Sequence, residues 1–208
     1  ELEWSSDEAS RIVGGKILKE YGLSNKFIIG GSADLAASTK QVISDNTFGS
    51  NNYDGNSIEF GIREHAMGGI VNGLALHSKL IPYGSTFLVF SDYMRPSMRL
   101  ASLMKVNSLF IFTHDSIYLG EDGPTHQPVE HLMSLRLIPN LDVIRPANSK
   151  ELIHSYRYAL EKRDNPKVIV LSRQNMKFFD HDVSYKDFQK GAYEFMPGSD
   201  ITLIATGS

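Results

Sequence analysis

The sequence predicts an α/β fold: a doubly wound, mainly parallel sheet with helices on both faces. Two observations predict it. Short apolar runs alternate along the chain with stretches whose apolar residues recur at helical spacing. Phe27-Ile28-Ile29 is apolar without a polar face, as a strand covered on both sides is.

Taken in order, Ser5 and Glu8 have capping-box spacing. Ile12, Val13 and Ile17 then mark a helix that stops near Gly22. The Phe27 run is a strand ending in Gly30-Gly31, and residues 38–56, rich in Asn, Ser, Gly and Asp, are mostly loop. Ser57 to Phe60 is a strand. A helix follows whose small residues Ala66, Gly69 and Gly73 predict close helix packing. Residues 86–106 are helical in pattern and split in two at Pro96, since proline is tolerated in a first turn and not inside a helix. Strands are predicted at 108–113, 141–144 and 167–171, with helices at 131–137 and after Ser149, where Leu152, Ile153, Tyr156 and Leu160 share a face. Residues 172–199 predict an extended linker and 201–205 one more apolar strand.

The chain has 208 residues, 41% hydrophobic and 22% charged, enough for one α/β domain with a core. A net charge of −3 argues against nucleic-acid or anionic-membrane partners. With no cysteine, disulfides, thiolate ligands and thiol nucleophiles are excluded, which fits a cytoplasmic protein. No apolar run reaches membrane-span length. The acidic opening has no signal-peptide character, and Glu1 in place of Met suggests a piece of a longer chain.

Ligands of open α/β sheets bind beyond the carboxyl ends of the strands. There the sequence places Asp34, Glu64, His114 and Arg173. The densest segment, Thr113 to Pro128, holds two histidines and three acids. That set fits a metal site, acid–base and hydrogen-bonding groups for a polyhydroxylated substrate, or a solvated loop built on Asp-Gly-Pro turn chemistry.

Several segments resemble transketolases, in order and at similar spacing. They are Gly30-Gly31-Ser32-Ala33-Asp34-Leu35, Gly61-Ile62-Arg63-Glu64-His65-Ala66-Met67-Gly68, Tyr83-Gly84-Ser85-Thr86-Phe87, the segment from His114 to Pro128, and Ser172-Arg173-Gln174-Asn175. The resemblance implies a catalytic role for Glu64, whose family counterpart hydrogen-bonds a pyrimidine nitrogen of thiamine diphosphate. It implies a cofactor pocket of Asp34, Glu64, Phe87, Phe90 and Tyr93, although the spacing of these three aromatics by itself reads as one face of a helix. It further implies that Arg11, Ser38 and Arg173 take the phosphate of a sugar-phosphate substrate, with His114 beside them. Asp122 is implied at the donor's C2 hydroxyl, and His126 at the oxygen where charge develops. His114 and His126 are thereby implied as catalytic with Glu64. Ala37 and Tyr118 depart from the family pattern, the first loosening the Ser38 loop and the second narrowing the pocket rim.

No Gly-Asp-Gly is present, the motif that in this superfamily marks the site for the diphosphate and Mg²⁺. The expected organisation is a pyrimidine-binding domain over 1–175, a linker over 176–199, and at 200–208 the first strand of a truncated C-terminal domain. The chain is expected to carry half a site, inactive alone, with Mg²⁺ held by a diphosphate-binding domain of another transketolase subunit in a homodimer, and no metal site of its own. Other readings are a subunit of a split transketolase, a non-catalytic thiamine-binding module, a dihydroxyacetone synthase, and, more distantly, a deoxyxylulose-phosphate synthase or a metal-dependent hydrolase.

Overall fold

The computed structural model describes residues 6–179 and 181–207. In chain order its elements are β1 (Glu8–Ala9), α1 (Ser10–Ser24), β2 (Ile28–Ser32), α2 (Ala36–Thr39), β3 (Ser57–Glu59), α3 (Glu64–His77), β4 (Ile81–Phe87), α4 (Ser91–Met104), β5 (Leu109–Thr113), α5 (His131–Arg136), β6 (Asp142–Ile144), α6 (Ser149–Glu161), β7 (Lys167–Val170), β8 (Asn175–Met176) and α7 (Tyr185–Phe188). Single 3-10 turns cover Leu88–Phe90 and Ile117–Leu119.

Six strands form one parallel sheet in the order β3-β2-β4-β5-β7-β6, the doubly wound arrangement that the sequence predicts. The two faces have separate cores. One gathers Val13, Ile17 and Leu18 of α1 with Leu152, Tyr156 and Ala159 of α6 over Leu109, Ile111 and Ile169. The other gathers Met67 and Val71 of α3 with Met94, Met98 and Ala101 of α4 over Phe110, Phe112, Val168 and Val170. Alternate residues of β5 and β7 therefore serve opposite cores, as the period of a strand requires. Among the described residues no helix is long and apolar enough to cross a membrane.

Several local expectations are corrected. The capping box does not start α1: Glu8 lies in β1, which pairs antiparallel with β8, and the cap position is Ala9. Ser5 lies outside the described residues. Gly30 and Gly31 do not end the first strand but sit inside β2. A Cβ on Gly31 would stand 1.9 Å from the carbonyl oxygen of Ile58, so the close approach of β3 excludes any side chain. In α3 the packed face is Glu64, Met67, Gly68, Val71 and Asn72, while Ala66, Gly69 and Gly73 are exposed. Gly68, not Gly69 or Gly73, lets Ser97 of α4 come close.

The expected split at Pro96 is absent. Residues 91–104 are one helix with Pro96 on its exposed side, where the burial of Met94, Ser97, Met98 and Ala101 holds the helix through the missing backbone bond. Thr86 and Phe87 belong to a strand, and β4 has no counterpart in the sequence prediction. It contains Pro82, Gly84 and Ser85, poor strand formers, yet all seven of its residues are buried. Pro82 is accommodated because pairing with β5 begins only at Tyr83. Residues 172–199 contain β8 and α7 rather than extended chain alone. Residues 201–205 form no strand, and Ile201, Leu203 and Ile204 are exposed, because no neighbouring backbone pairs with them.

Candidate active site

The chain passes from β2 out to β3 and back to β4, so the strand order reverses beside β2. The carboxyl ends of β2, β4, β5 and β7 face one edge there. The residues after them are Asp34, the aromatic run from Phe87, His114 and Arg173, while Glu64 opens α3 after β3. Asp34 and His114 both have left-handed backbones (φ 61°), a conformation that non-glycine residues adopt where the surrounding fold compels it.

Four rings form a staircase. Tyr93 lies on Phe90 at 5.9 Å between ring centres, Phe90 on Phe87 at 5.8 Å, and Phe87 on His114 at 3.7 Å. His126 meets Phe90 edge-on at 5.4 Å. The three aromatics do not share one helix face as their spacing predicts. Phe87 ends a strand, Phe90 ends the 3-10 turn and Tyr93 lies in the first turn of α4, and the turn of the chain brings them together.

Glu64 is 7% exposed and makes no hydrogen bond or ion pair among the described residues. Its carboxyl is thereby left, among the described residues, without a polar protein contact at the start of α3.

The cationic side of the site is built by a reciprocal clasp. The Ser10 N–H donates to Ser172 Oγ at 3.0 Å, and the Ser172 N–H donates to Ser10 Oγ at 2.7 Å. This joins the first turn of α1 to the turn after β7 and brings together the next residue of each, Arg11 and Arg173. The Arg11 guanidinium donates to the Ser38 carbonyl. Burial, and then the charge of Arg173, hold Arg11 below its ordinary ionisation range.

His114 is 4% exposed. Burial first, then Arg11, Arg173 and His126, lower its pKa to about 3. Its Nδ1 lies 2.8 Å from the buried Thr113 hydroxyl. His126 has the same arrangement with Thr125, also at 2.8 Å. Where the hydroxyl donates to Nδ1, a neutral imidazole carries its proton on Nε2. His114 should therefore not titrate between about pH 8 and about pH 5 in NMR spectra. Because the unfolded histidine takes a proton below its ordinary 6.5 and the folded one does not, stability should fall as pH drops from there toward about 3. His114→Gln should flatten that fall; a His114 resonance with an ordinary midpoint would refute the assignment.

Asp115 anchors the same loop. Its side chain is fully buried, and Oδ2 accepts from Arg145 Nε at 2.9 Å and Nη2 at 2.8 Å. Asp122 lies on the exposed turn between Gly120 and Gly123, and Arg173 is exposed at the rim. Among the described residues no hydrogen bond or ion pair joins Asp34 or Asp122 to the other site residues. Asp92, Glu130 and His131 are the one grouping among the described residues whose ligand atoms come within 4.8 Å. His131 Nε2 contacts Asp92 directly at 3.0 Å, and Arg95 stands 3.7 Å from Asp92.

Sequence reasoning missed the supporting hydroxyls. Ser10, Ser172, Thr113 and Thr125 each immediately precede a candidate site residue, and that repeated pairing was the available signal.

The chain matches the family model for the transketolase pyrimidine-binding domain over residues 9–178. It is 47% identical to a transketolase of Halalkalibacterium halodurans, over 96% of this chain and 31% of that protein. The structure superposes on a Pichia stipitis transketolase in complex with sedoheptulose-7-phosphate, with TM-score 0.89 and 37% identity over 94% of this chain and 30% of that one. A split-gene transketolase, described as an inactive β4 tetramer, matches at TM-score 0.65 and 29% identity, over 86% of this chain and 55% of that one. The chain thus spans about a third of the length of the curated relatives it matches. A parallel sheet with this strand order, this edge and this extent of identity makes the chain a member of the transketolase pyrimidine-binding domain family.

Proposed function

We propose that this chain supplies the pyrimidine-side half of a transketolase active site, in a cytoplasmic homodimeric enzyme. The reaction passes a two-carbon ketol unit from a ketose phosphate to an aldose phosphate. The observation that carries this reading is Glu64, a buried carboxyl without a protein partner, in a domain of this family with an aromatic staircase at the same sheet edge.

A pyrimidine fits such a place. Phe90 and Tyr93 offer it flat apolar faces, with Phe87 as the buried ring behind Phe90, and Glu64 offers a ring nitrogen a proton to share. Asp34 lines the side toward the thiazolium. Thiamine diphosphate, when bound, supplies the carbon nucleophile and the electron sink for breaking and remaking the carbon–carbon bond. Glu64 holds a proton between its carboxyl and the pyrimidine nitrogen. His126 donates from Nε2 to the substrate oxygen on which charge develops. His114 donates likewise to a sugar hydroxyl, and Asp122 accepts from the donor's C2 hydroxyl. Arg11 and Arg173, beside Ser38, present guanidinium donors to the substrate phosphate.

The diphosphate and Mg²⁺ fall to a separate diphosphate-binding domain. Ile62, Ile70, Leu76, Leu100 and Leu103 are exposed on and beside α3 and α4, an apolar surface suited to being covered by it. The split-gene relative favours a second version of the reading, in which such a chain is a natural subunit awaiting its partner.

The test is ketol transfer from xylulose 5-phosphate to ribose 5-phosphate with thiamine diphosphate and Mg²⁺, using the chain alone and then mixed with a purified transketolase diphosphate-binding domain. Silence alone and activity on mixing are expected. Activity from the chain alone would overturn the half-site. A mixture that forms a complex and binds thiamine diphosphate but transfers nothing would leave a thiamine-binding module in its place.

A further inference from the structure

Gln41 is wholly buried beneath the Arg11 side of the site, although it is a polar residue in a loop. Its amide is satisfied at both ends. Nε2 donates to the Arg11 carbonyl at 2.8 Å and to the Thr39 carbonyl at 3.0 Å. Oε1 accepts from the Tyr156 hydroxyl at 2.6 Å. The Gln41 carbonyl accepts from the Tyr83 hydroxyl at 3.3 Å. One side chain thereby ties the backbone of α1 at Arg11 to the backbone just after Ser38, with a tyrosine of α6 fixing the amide's orientation.

The surrounding packing is shaped around this contact. A Cβ on Gly14 would lie 2.8 Å from the Tyr156 hydroxyl, and one on Gly15 would lie 2.2 Å from the Lys40 carbonyl oxygen. Two adjacent glycines in α1 thus admit the tyrosine on one side and the Ser38 loop on the other. A buried amide network is costly unless complete and rigid when complete, so it suits a part that must be held in one place.

We propose that Gln41, oriented by Tyr156, is a positioning residue for anion recognition, setting the spacing between Arg11 and Ser38 that a substrate phosphate requires. The inference rests on the reading of Arg11 as a phosphate ligand. It adds that a residue with no access to the ligand controls affinity for the phosphate and not for the sugar or the cofactor's pyrimidine.

The test titrates the chain with inorganic phosphate, ribose 5-phosphate, ribose and thiamine, observed by NMR. The variants are Arg11→Ala, Gln41→Met, Tyr156→Phe and, as a control, Tyr158→Phe, which loses a comparable hydroxyl contact to Asp142 at 3.1 Å. Gln41→Met and Tyr156→Phe are expected to weaken both phosphate ligands by about tenfold and to leave thiamine binding within about twofold, with Tyr158→Phe unchanged. Wild-type phosphate affinity in folded Gln41→Met and Tyr156→Phe, alongside its loss in Arg11→Ala, would overturn the inference while sparing the phosphate site. Equal loss of thiamine and phosphate binding would also overturn it, by showing general loosening. Unchanged phosphate affinity in Arg11→Ala would remove the underlying assignment, and the inference with it.

Discussion

Glu64→Gln is expected to reduce ketol transfer by about 10²–10⁴-fold in the reconstituted assay, without loss of stability. Glutamine keeps the size of the side chain and its capacity to hydrogen-bond, but it has no proton to share with a pyrimidine nitrogen. The prediction is unusual in its second half. Glu64 is 7% exposed and has no partner among the described residues, so its carboxyl contributes no ion pair for the substitution to break. With no polar protein contact to lose, the variant should leave the midpoint of urea unfolding unchanged or raised. A lowered midpoint would instead mean that Glu64 serves the fold. Activity within about tenfold of the parent would remove Glu64 from the centre of the mechanism.

Arg145→Met should have the largest effect on stability. It takes the guanidinium away from the Asp115 carboxylate, whose side chain is fully buried, and breaking a buried pair in this way costs about 3–5 kcal/mol. Against a domain stability of about 5–15 kcal/mol, that is a large part of the whole. The remedy is as informative as the damage. Asp115→Leu combined with Arg145→Met should recover most of the loss, because the cost lies in a buried carboxylate that has lost its guanidinium and not in the absence of the bridge. Urea unfolding of the two single variants and the double variant reads the coupling. Additive losses would show that the bridge is a minor contact. The pair's place, directly after His114, gives it a second consequence. The ring current that Phe87 exerts on His114, stacked at 3.7 Å, should weaken in Arg145→Met even where the protein remains folded.

The fold and the gathering of the candidate residues at one sheet edge were legible in the sequence because both are local in origin. Segments 108–113 and 167–171 read as strands because burial on both faces leaves polar residues only at their ends, Ser108, Thr113 and Lys167. Asp34, Glu64, His114 and Arg173 reach one edge because each follows a strand or the loop after it, and parallel strands point the same way. Other features were not legible because contacts distant in sequence decide them. The strand Ile81–Phe87 has a poor strand composition and exists because β2 and β5 pair with it from either side. Pro96 ought to break a helix, and packing against α3 holds the helix through it. The small-residue face of α3 was assigned to the wrong glycines, because only the position of α4 determines which side is covered. The geometry of the site is likewise tertiary. The pairing of Arg11 with Arg173 depends on Ser10 meeting a serine 162 residues away, and the hold on Arg11 depends on Gln41 meeting a tyrosine 115 residues away. The sequence alone determined most of the elements, β4 excepted, and the chemical groups that follow the strands at the sheet edge, since spacing and burial periodicity are written residue by residue. The tertiary structure alone decided how those groups face one another, since hydrogen bonds between remote segments exist only once the chain has closed.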